Sequence, residues 1–152
     1  MAFREIAYCT DFSENAEAAF SVALELAEKY QARLWVLHVL PSPINPMAMD
    51  AEWTLPDHPK EALVLQLQER MQQEYGDRVS DAVDYELKVL DGHISTEILT
   101  FLNENPIDVC VMGAYGMEGM GLVIFGSVAK RISHRAPCSV MIVRDRSSAP
   151  PP

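Results

Sequence analysis

The chain has 152 residues, of which 49% are hydrophobic and 22% are charged, and its formal net charge is −10 at pH 7. This length suits a single domain that buries roughly 68–70% of the surface of the unfolded chain. The acidic balance argues against nucleic acid and against an anionic membrane surface as partners. No apolar run approaches the ~20 residues that a membrane-spanning helix needs, and residues 1–6 lack the pattern of a signal peptide.

The cysteines and histidines point away from a metal or disulfide protein. Cys9, Cys110 and Cys138 are odd in number and form no C-x-x-C pair, which indicates reduced thiols in a reducing compartment and predicts a cytoplasmic protein. The histidines lack the paired spacing of metal ligands and are expected on the surface or in loops: His38, His58, His93 and His134.

Strand and helix patterns alternate from the start of the chain. Residues 6–9 predict a short strand, and Asp11 or Ser13 then caps a helix, with Glu14 three residues after Asp11 as in a capping box. One face of that helix is apolar: Ala16, Ala19, Phe20, Ala23, Leu24 and Ala27. The continuous apolar run 34–40 is typical of a parallel strand covered on both faces.

The rest of the chain continues this alternation after a long loop. Residues 41–59 contain five prolines and no periodicity, which predicts a lid-like loop ordered partly by ligand. A second helix carries Leu63, Leu67, Met71 and Tyr75 on one face and ends at Gly76; a third carries Ile94, Ile98, Phe101 and Leu102 and ends at Asn105–Pro106. Strands are predicted at 83–90, 107–112 and 140–143, a fourth helix at 128–135, and a disordered tail at 147–152.

The order βαβαβαβαβ predicts the fold class. It is typical of one doubly wound parallel five-stranded sheet, flavodoxin-like or Rossmann-like, with helices on both faces, here formed by a single domain over residues 1–146. Ligands of such sheets bind beyond the carboxyl ends of the strands. Residues 8–11, residues 39–41 and the segment from Gly113 onward are therefore expected to meet at one edge.

A glycine-rich segment follows the fourth predicted strand. Gly113 and Gly116 are followed, nine residues later, by Gly126 and Ser127 at a predicted helix start. Backbone N–H groups at a helix start favour an anion, and glycines allow a phosphate to come close. The segment lacks the lysine of a Walker A loop and the third glycine of a dinucleotide fingerprint. A mobile turn with no ligand remains the alternative interpretation.

Several segments together resemble the universal stress protein family. The spacing of Gly113, Gly116, Gly126 and Ser127 matches the G-x2-G-x9-G-[S/T] motif of its nucleotide-binding branch. Residues 10–13, 37–39 and 135–140 resemble the family's D-x-S, L-H-V and A-P-C-P-V segments, and the likeness runs from residue 6 to residue 144. Cys9 and Ser139 stand where the family often has proline, and Glu118 places an acid in the glycine segment.

The resemblance implies ATP binding, accompanied by Mg²⁺ or Mn²⁺. It implies that Asp11 contacts the ribose, that the Val39 backbone contacts the adenine, and that four residues contact the phosphates: Gly113, Gly116, Gly126 and Ser127. Their chain neighbours complete the candidate nucleotide site: Cys9, Thr10, Met112 and Val128. From the residues alone, Asp11 could instead serve only as a helix cap.

The resemblance also implies a homodimer that pairs through the final strand, Val140 to Val143. The function predicted first is a dimeric, ATP-binding regulatory switch of the stress response. No general base or arginine finger is identifiable, so a dedicated enzyme is not expected. Two alternatives stay open: a slow ATPase or other nucleotide-dependent enzyme, and a nucleotide-free interaction module.

Overall fold

Strands and helices alternate along the chain in this computed structural model, which describes residues 2–41, 59–114 and 126–145. The strands are β1 (Glu5–Cys9), β2 (Arg33–Pro41), β3 (Tyr85–Gly92), β4 (Val109–Gly113) and β5 (Ser139–Val143). The helices are α1 (Glu14–Tyr30), α2 (Pro59–Glu74), α3 (Ile94–Glu104) and α4 (Ser127–Arg135), with a short 3-10 helix at Gly76–Arg78. Every predicted strand and helix is present; the predicted lid and tail lie, apart from the lid's ends, outside the described residues.

All strands run parallel in one sheet with the order β3-β2-β1-β4-β5. This confirms the predicted fold class and places it on the Rossmann order rather than the flavodoxin order. The chain moves outward from β1 in one direction through β2 and β3, and in the other through β4 and β5. The switch point therefore lies between β1 and β4, and β5 is an edge strand.

The two faces of the sheet carry separate cores, because side chains alternate along each strand. Helices α1 and α2 cover one face, whose strand residues include Tyr8, Val36 and Val111. Helices α3 and α4 cover the other face, whose strand residues include Cys110 and Met112. Helix α1 packs through a stripe of small side chains with one aromatic: Ala16, Ala19, Phe20, Ala23 and Ala27.

Helix α2 departs from its prediction in its first half. Met71 and Tyr75 are buried as expected, but Leu63 is 40% exposed and Leu65 is 60% exposed. The apolar spacing correctly identified one face of the helix, yet spacing does not determine whether another element lies opposite that face. In the described part of the chain, no helix combines the length and the apolarity needed to cross a membrane.

Candidate functional site

The switch point brings three strand ends and two helix starts to one edge of the sheet. After β1 the chain enters α1 on one face, and after β4 it enters α4 on the opposite face. Strand β2 lies beside β1 on its other side. This divergence of neighbouring connections opens a crevice beyond the carboxyl ends of the strands.

Thr10 is the fixed point of the turn that follows β1. Its backbone N–H donates to the carbonyl oxygen of Leu37 at 2.9 Å, and its carbonyl oxygen lies 2.9 Å from Nδ1 of His38. Its hydroxyl oxygen accepts from the backbone N–H of Phe12 at 2.9 Å and lies 2.5 Å from the hydroxyl oxygen of Tyr75. The residue is buried with all of its polar groups bonded, so little in this turn can shift.

Phe12 adopts a left-handed backbone conformation, with φ of +65°. In the described residues only Gln31 shares this feature among non-glycines, and it does so at the C-cap of α1, where a left-handed residue is common. A left-handed aromatic residue costs of order 1–3 kcal/mol and needs compensation. The rings of His38 and Tyr75 lie 4.7 and 6.0 Å from the Phe12 ring, and the Arg70 guanidinium carbon lies 3.9 Å from its centroid.

Ser13, rather than Asp11, is the N-cap of α1. Its hydroxyl accepts from the backbone N–H of Ala16 at 3.2 Å, and its carbonyl oxygen accepts from that of Glu17. The Asp11–Glu14 capping box is therefore wrong. Asp11 lies two residues earlier and is half-buried, and its Oδ1 accepts from the backbone N–H of Ser13 at 3.0 Å.

The end of β2 presents backbone groups beyond the end of β1. The β1–β2 pairing ends at Cys9 and Leu37, whereas β2 continues, paired with β3, to Pro41. The Leu37 carbonyl points toward β1, since it accepts from Thr10. Because parallel strands alternate their bonding direction with a period of two, the N–H and C=O of Val39 point to the same side, past the last β1 partner. A flat, hydrogen-bonding ligand can approach that edge.

Strand β4 ends against the first turn of α1. A Cβ built on Gly113 would lie 2.8 Å from the carbonyl oxygen of Asn15 and 2.9 Å from its carbonyl carbon. Such contacts essentially never occur, so any side chain at this position displaces α1. The absence of a side chain at Gly113 thus has a packing cause. The predicted cause was close approach of a phosphate.

A backbone hydrogen bond joins the two ends of the connection from β4 to α4. The Gly126 N–H donates to the carbonyl oxygen of Ala114 at 2.9 Å, and the Ala114 N–H donates to Val143 of β5 at 3.0 Å. Helix α4 then begins at Ser127 with Gly126 as its N-cap, without a capping side chain and without an acidic residue in its first turn. Ser127 is exposed and Val128 is half-buried, and the positive end of the helix dipole lies at this start.

All the predicted site residues that the structure describes lie within two residues of a strand end or of the start of α4 at this edge. Gly116, like Glu118, lies outside the described residues. The others belong to the ends of β1, β2 and β4 or to the start of α4: Cys9, Thr10, Asp11, Val39, Met112, Gly113, Gly126, Ser127 and Val128.

The thiols beneath the site are unbridged. Cys9 Sγ and Cys110 Sγ lie 3.7 Å apart on neighbouring strands, buried under α3 and α4. The bond from Cys9 and burial raise the pKa of the Cys110 thiol, and burial raises the pKa of Cys138 to about 11. Thiols held protonated in this way are poor nucleophiles.

His38 was expected on the surface or in a loop, and that expectation is wrong. It lies half-buried in β2. A carbonyl oxygen can only accept, so Nδ1 carries the proton that bonds to Thr10. Burial lowers the pKa of His38; the Thr10 bond and Asp11 oppose this, and Arg70 adds to it. The ring is therefore a neutral, fixed part of the turn.

Sequence reasoning did not assign Phe12, Arg70 or Tyr75 to the site. Tyr75 was read as a core position, and it is buried, but its hydroxyl also reaches Thr10 across 65 positions of sequence. Burial raises the pKa of Tyr75, so the phenol stays protonated. Nothing in the spacing of apolar residues distinguishes a core tyrosine from one whose hydroxyl has a partner.

Side chains that could bind a metal ion are not clustered in the described part of the chain. Within residues 2–41, 59–114 and 126–145, no group of three His, Cys, Asp or Glu side chains could hold a metal ion. Phosphate and water oxygens are the usual partners of a divalent cation such as Mg²⁺.

Comparison with known proteins gives the chain its family. The model of the universal stress protein family matches residues 2–144. Universal stress protein MJ0531 of Methanocaldococcus jannaschii is 27% identical over 93% of this chain and 82% of its own. The structure of UspA from Lactobacillus plantarum is 26% identical, covers 95% of this chain and 99% of its own, and superposes with a TM-score of 0.77.

Two further solved structures share the fold at 20% identity. One is a universal stress protein in complex with cAMP, which covers 95% of this chain and 98% of its own with a TM-score of 0.69. The other, from Archaeoglobus fulgidus, is in complex with dAMP and covers 93% of this chain and 98% of its own with a TM-score of 0.64. With the family match spanning nearly all of the sequence, the chain belongs to the universal stress protein family.

Proposed function

We propose that this protein is a cytoplasmic, ATP-binding regulatory protein of the stress response that acts as a homodimeric switch. The observation that carries the proposal is the meeting of the β1, β2 and β4 ends with the uncapped start of α4 at the switch point. Membership of the family supports a role in the stress response. The cAMP and dAMP complexes of two proteins with this fold support an adenine nucleotide as the ligand.

Each part of the nucleotide has a counterpart at this edge. The backbone N–H and C=O of Val39, which point past the end of β1, suit the hydrogen-bonding rim of a purine, and the Asp11 carboxylate suits ribose hydroxyl donors. The start of α4, with Gly126, Ser127 and Val128, suits phosphate oxygens. Gly116 belongs to the same proposal through its motif spacing.

The proposed cation, Mg²⁺ or Mn²⁺, fits as a companion of the phosphates. Mg²⁺ is usually bound through substrate phosphates and water with only one or two carboxylates. The scarcity of clustered ligands in the described chain is compatible with that mode. The cation would neutralise phosphate charge, while the chain's own residues bind and orient the nucleotide.

The proposed dimer pairs β5 with its copy. Strand β5 occupies an edge of the sheet, and an apolar edge strand is prone to pair with another chain. Val140, Met141 and Ile142 are only half-buried in the single chain. A twofold association of this edge would cover them, and twofold dimers are the commonest assemblies of soluble proteins.

Titration calorimetry with ATP and Mg²⁺, with GTP as the matched control, tests the ligand. ATP should bind and GTP should bind at least about tenfold more weakly, since the purine rim is read by a fixed backbone edge. Absence of ATP binding at millimolar concentration would refute the nucleotide proposal. Phosphate release in the same sample separates a switch from the alternative, a slow ATPase.

Light scattering at micromolar concentration tests the dimer. The wild-type chain should have twice the monomer mass, and Ile142→Lys should give a monomer or a precipitate because it places a charge in the paired edge. A monomeric wild-type protein would remove the dimer from the proposal and leave the nucleotide site unaffected.

A further inference from the structure

The last turns of α2 contact the turn after β1 through two different kinds of interaction. The Tyr75 hydroxyl, just beyond the end of α2, lies 2.5 Å from the Thr10 hydroxyl. Arg70, one helical turn earlier, places its guanidinium carbon 3.9 Å from the centre of the Phe12 ring. Thr10 and Phe12 are the chain neighbours of Asp11. Tyr75 and Arg70 therefore contact the residues on either side of the proposed ribose-binding carboxylate.

The strained backbone at Phe12 gives these contacts a role. A left-handed phenylalanine is costly, and such a conformation persists only where the surroundings over-determine it. The Phe12 N–H is bonded to the Thr10 hydroxyl oxygen, and that oxygen is in turn bonded to Tyr75. Removing the Tyr75 hydroxyl takes away one of the hydrogen bonds that hold the Thr10 hydroxyl oxygen, which is the acceptor for the Phe12 N–H.

We propose that Tyr75 is a positioning residue for nucleotide binding, acting through Thr10 to hold the Asp11 carboxylate where it meets the ribose hydroxyls. This inference rests on the proposed function and assigns a role in that site to α2, which supplies none of the residues assigned to the ligand. Arg70 assists by holding the Phe12 ring from the solvent side.

Nucleotide binding and the docking of α2 against the Asp11 turn should affect each other. If the docking of α2 favours the binding-competent turn, a bound nucleotide must favour the docking of α2 by the same factor. The contact between Thr10 and Tyr75 is then the place where occupancy of the site is linked to the position of a helix.

The test compares Tyr75→Phe with Tyr85→Phe. Tyr85 is a matched control because its hydroxyl also joins α2 to the sheet, through Gln72 at 2.9 Å, but does so from β3 and away from the Asp11 turn. Calorimetry is run with ATP and with 2′,3′-dideoxy-ATP, which lacks the ribose hydroxyls. Thermal unfolding of each variant reports whether the fold is retained.

Tyr75→Phe should weaken ATP binding roughly 3- to 10-fold, the range of one hydrogen bond, and change dideoxy-ATP binding by less than about twofold. Tyr85→Phe should leave both affinities at the wild-type level. Equal affinity of wild type and Tyr75→Phe for ATP would overturn the proposal. Equal losses for both nucleotides would also overturn it, since they would indicate a general disturbance of the site.

A ligand-free measurement keeps the inference independent of the nucleotide. Hydrogen exchange of the Phe12 amide, followed by NMR, should be faster in Tyr75→Phe than in Tyr85→Phe by about tenfold, because the bond to Thr10 opens more often. Unchanged exchange would refute the positioning role even if ATP binds. Faster exchange without any ATP binding would uphold that role in the turn and refute only the proposed function.

Arg70→Met provides a second variant that should fold normally, since the side chain is 52% exposed. Its control is Arg33→Met, whose guanidinium also lies over a ring, that of Trp35 at 4.6 Å, and which also pairs with a glutamate. Arg70→Met should weaken ATP binding about twofold, consistent with a partly exposed cation–π contact. An identical small change in both variants would exclude Arg70 from the positioning role.

Discussion

The starts of α1 and α4 flank the same crevice and are built in opposite ways. At α1, the Ser13 hydroxyl caps the helix, and Glu14 and Glu17 place negative charge in the first turn. At α4, the cap is Gly126, without a capping side chain or a first-turn acid. Negative groups stabilise a helix start and satisfy its N–H donors. The first helix supplies these groups from its own cap and first turn, whereas the cap and first turn of the second supply none.

The difference between the two helix starts predicts how a ligand is oriented in the crevice. An anion would meet negative charge and an occupied donor at α1, whereas the cap and first turn of α4 contribute neither an acid nor a capping side chain. The α1 side offers the Asp11 carboxylate, which suits a group that donates hydrogen bonds. A molecule with hydroxyls at one end and phosphates at the other therefore has one favourable orientation in the crevice.

An acidic residue in the first turn of α4 would give this helix start the negative charge that the start of α1 already has, and so tests the difference between them. Ser127→Glu should weaken ATP binding by at least about tenfold, because a carboxylate near phosphate repels it by on the order of 1–4 kcal/mol at 4 Å. The same change should stabilise the free protein slightly, by about 0.3–1 kcal/mol, through the helix dipole. Calorimetry and urea unfolding measure the two effects.

Ser133→Glu is the matched control for that variant. It makes the same chemical change on the same helix, at an exposed position in the later turns. ATP affinity should stay near the wild-type value, and the free protein should lose a little stability near the negative end of the dipole. Equal losses of affinity in both variants would mean that overall charge, rather than the start of α4, governs binding.

The converse change removes the cap that α1 already has. Ser13→Ala should lower the free energy of unfolding by about 1 kcal/mol and alter ATP affinity by less than about twofold. Ser21→Ala, an exposed site on the same helix, serves as the control and should be near neutral. A large loss of ATP affinity in Ser13→Ala would show that the α1 start binds the ligand directly.

The smallest expected effect concerns His38, which holds the turn before α1. Burial lowers its pKa below the ordinary value of 6.5, so the unfolded chain binds the proton more readily than the folded one. The stabilisation is complete above pH 6.5 and is lost as the pH falls below it, down to the folded pKa. His38→Asn keeps an N–H donor for the Thr10 carbonyl oxygen but does not titrate. It should therefore remove this part of the pH dependence of the free energy of unfolding. Urea unfolding of the wild type and of His38→Asn between pH 5 and 8 measures the difference.

Much of this edge could be predicted from the sequence because it depends on local order along the chain. Alternating strands and helices determine a parallel sheet, and the carboxyl ends of its strands must share an edge. That logic places Asp11, Val39 and Gly113 together from the sequence alone. The family motif added the start of α4 at Gly126 and Ser127.

What could not be predicted depends on contacts between distant segments. The bond between Thr10 and Tyr75 requires knowing how far α2 lies from β1. The choice of Ser13 over Asp11 as the cap depends on the left-handed turn at Phe12, which a bulky residue rarely adopts. The apolar face of α2 was visible in the sequence, but the exposure of Leu63 was not.

Gly113 has a consequence for how variants of this protein should be interpreted. Its backbone lies against the Asn15 carbonyl, so even alanine forces the start of α1 away from β4. A variant at this position that no longer retains nucleotide would be scored as a phosphate-contact mutant, although the loss would reflect a displaced helix. Selection for a small residue at Gly113 can therefore persist in a chain that has lost its ligand, and retention of that glycine alone is poor evidence that a relative still binds one.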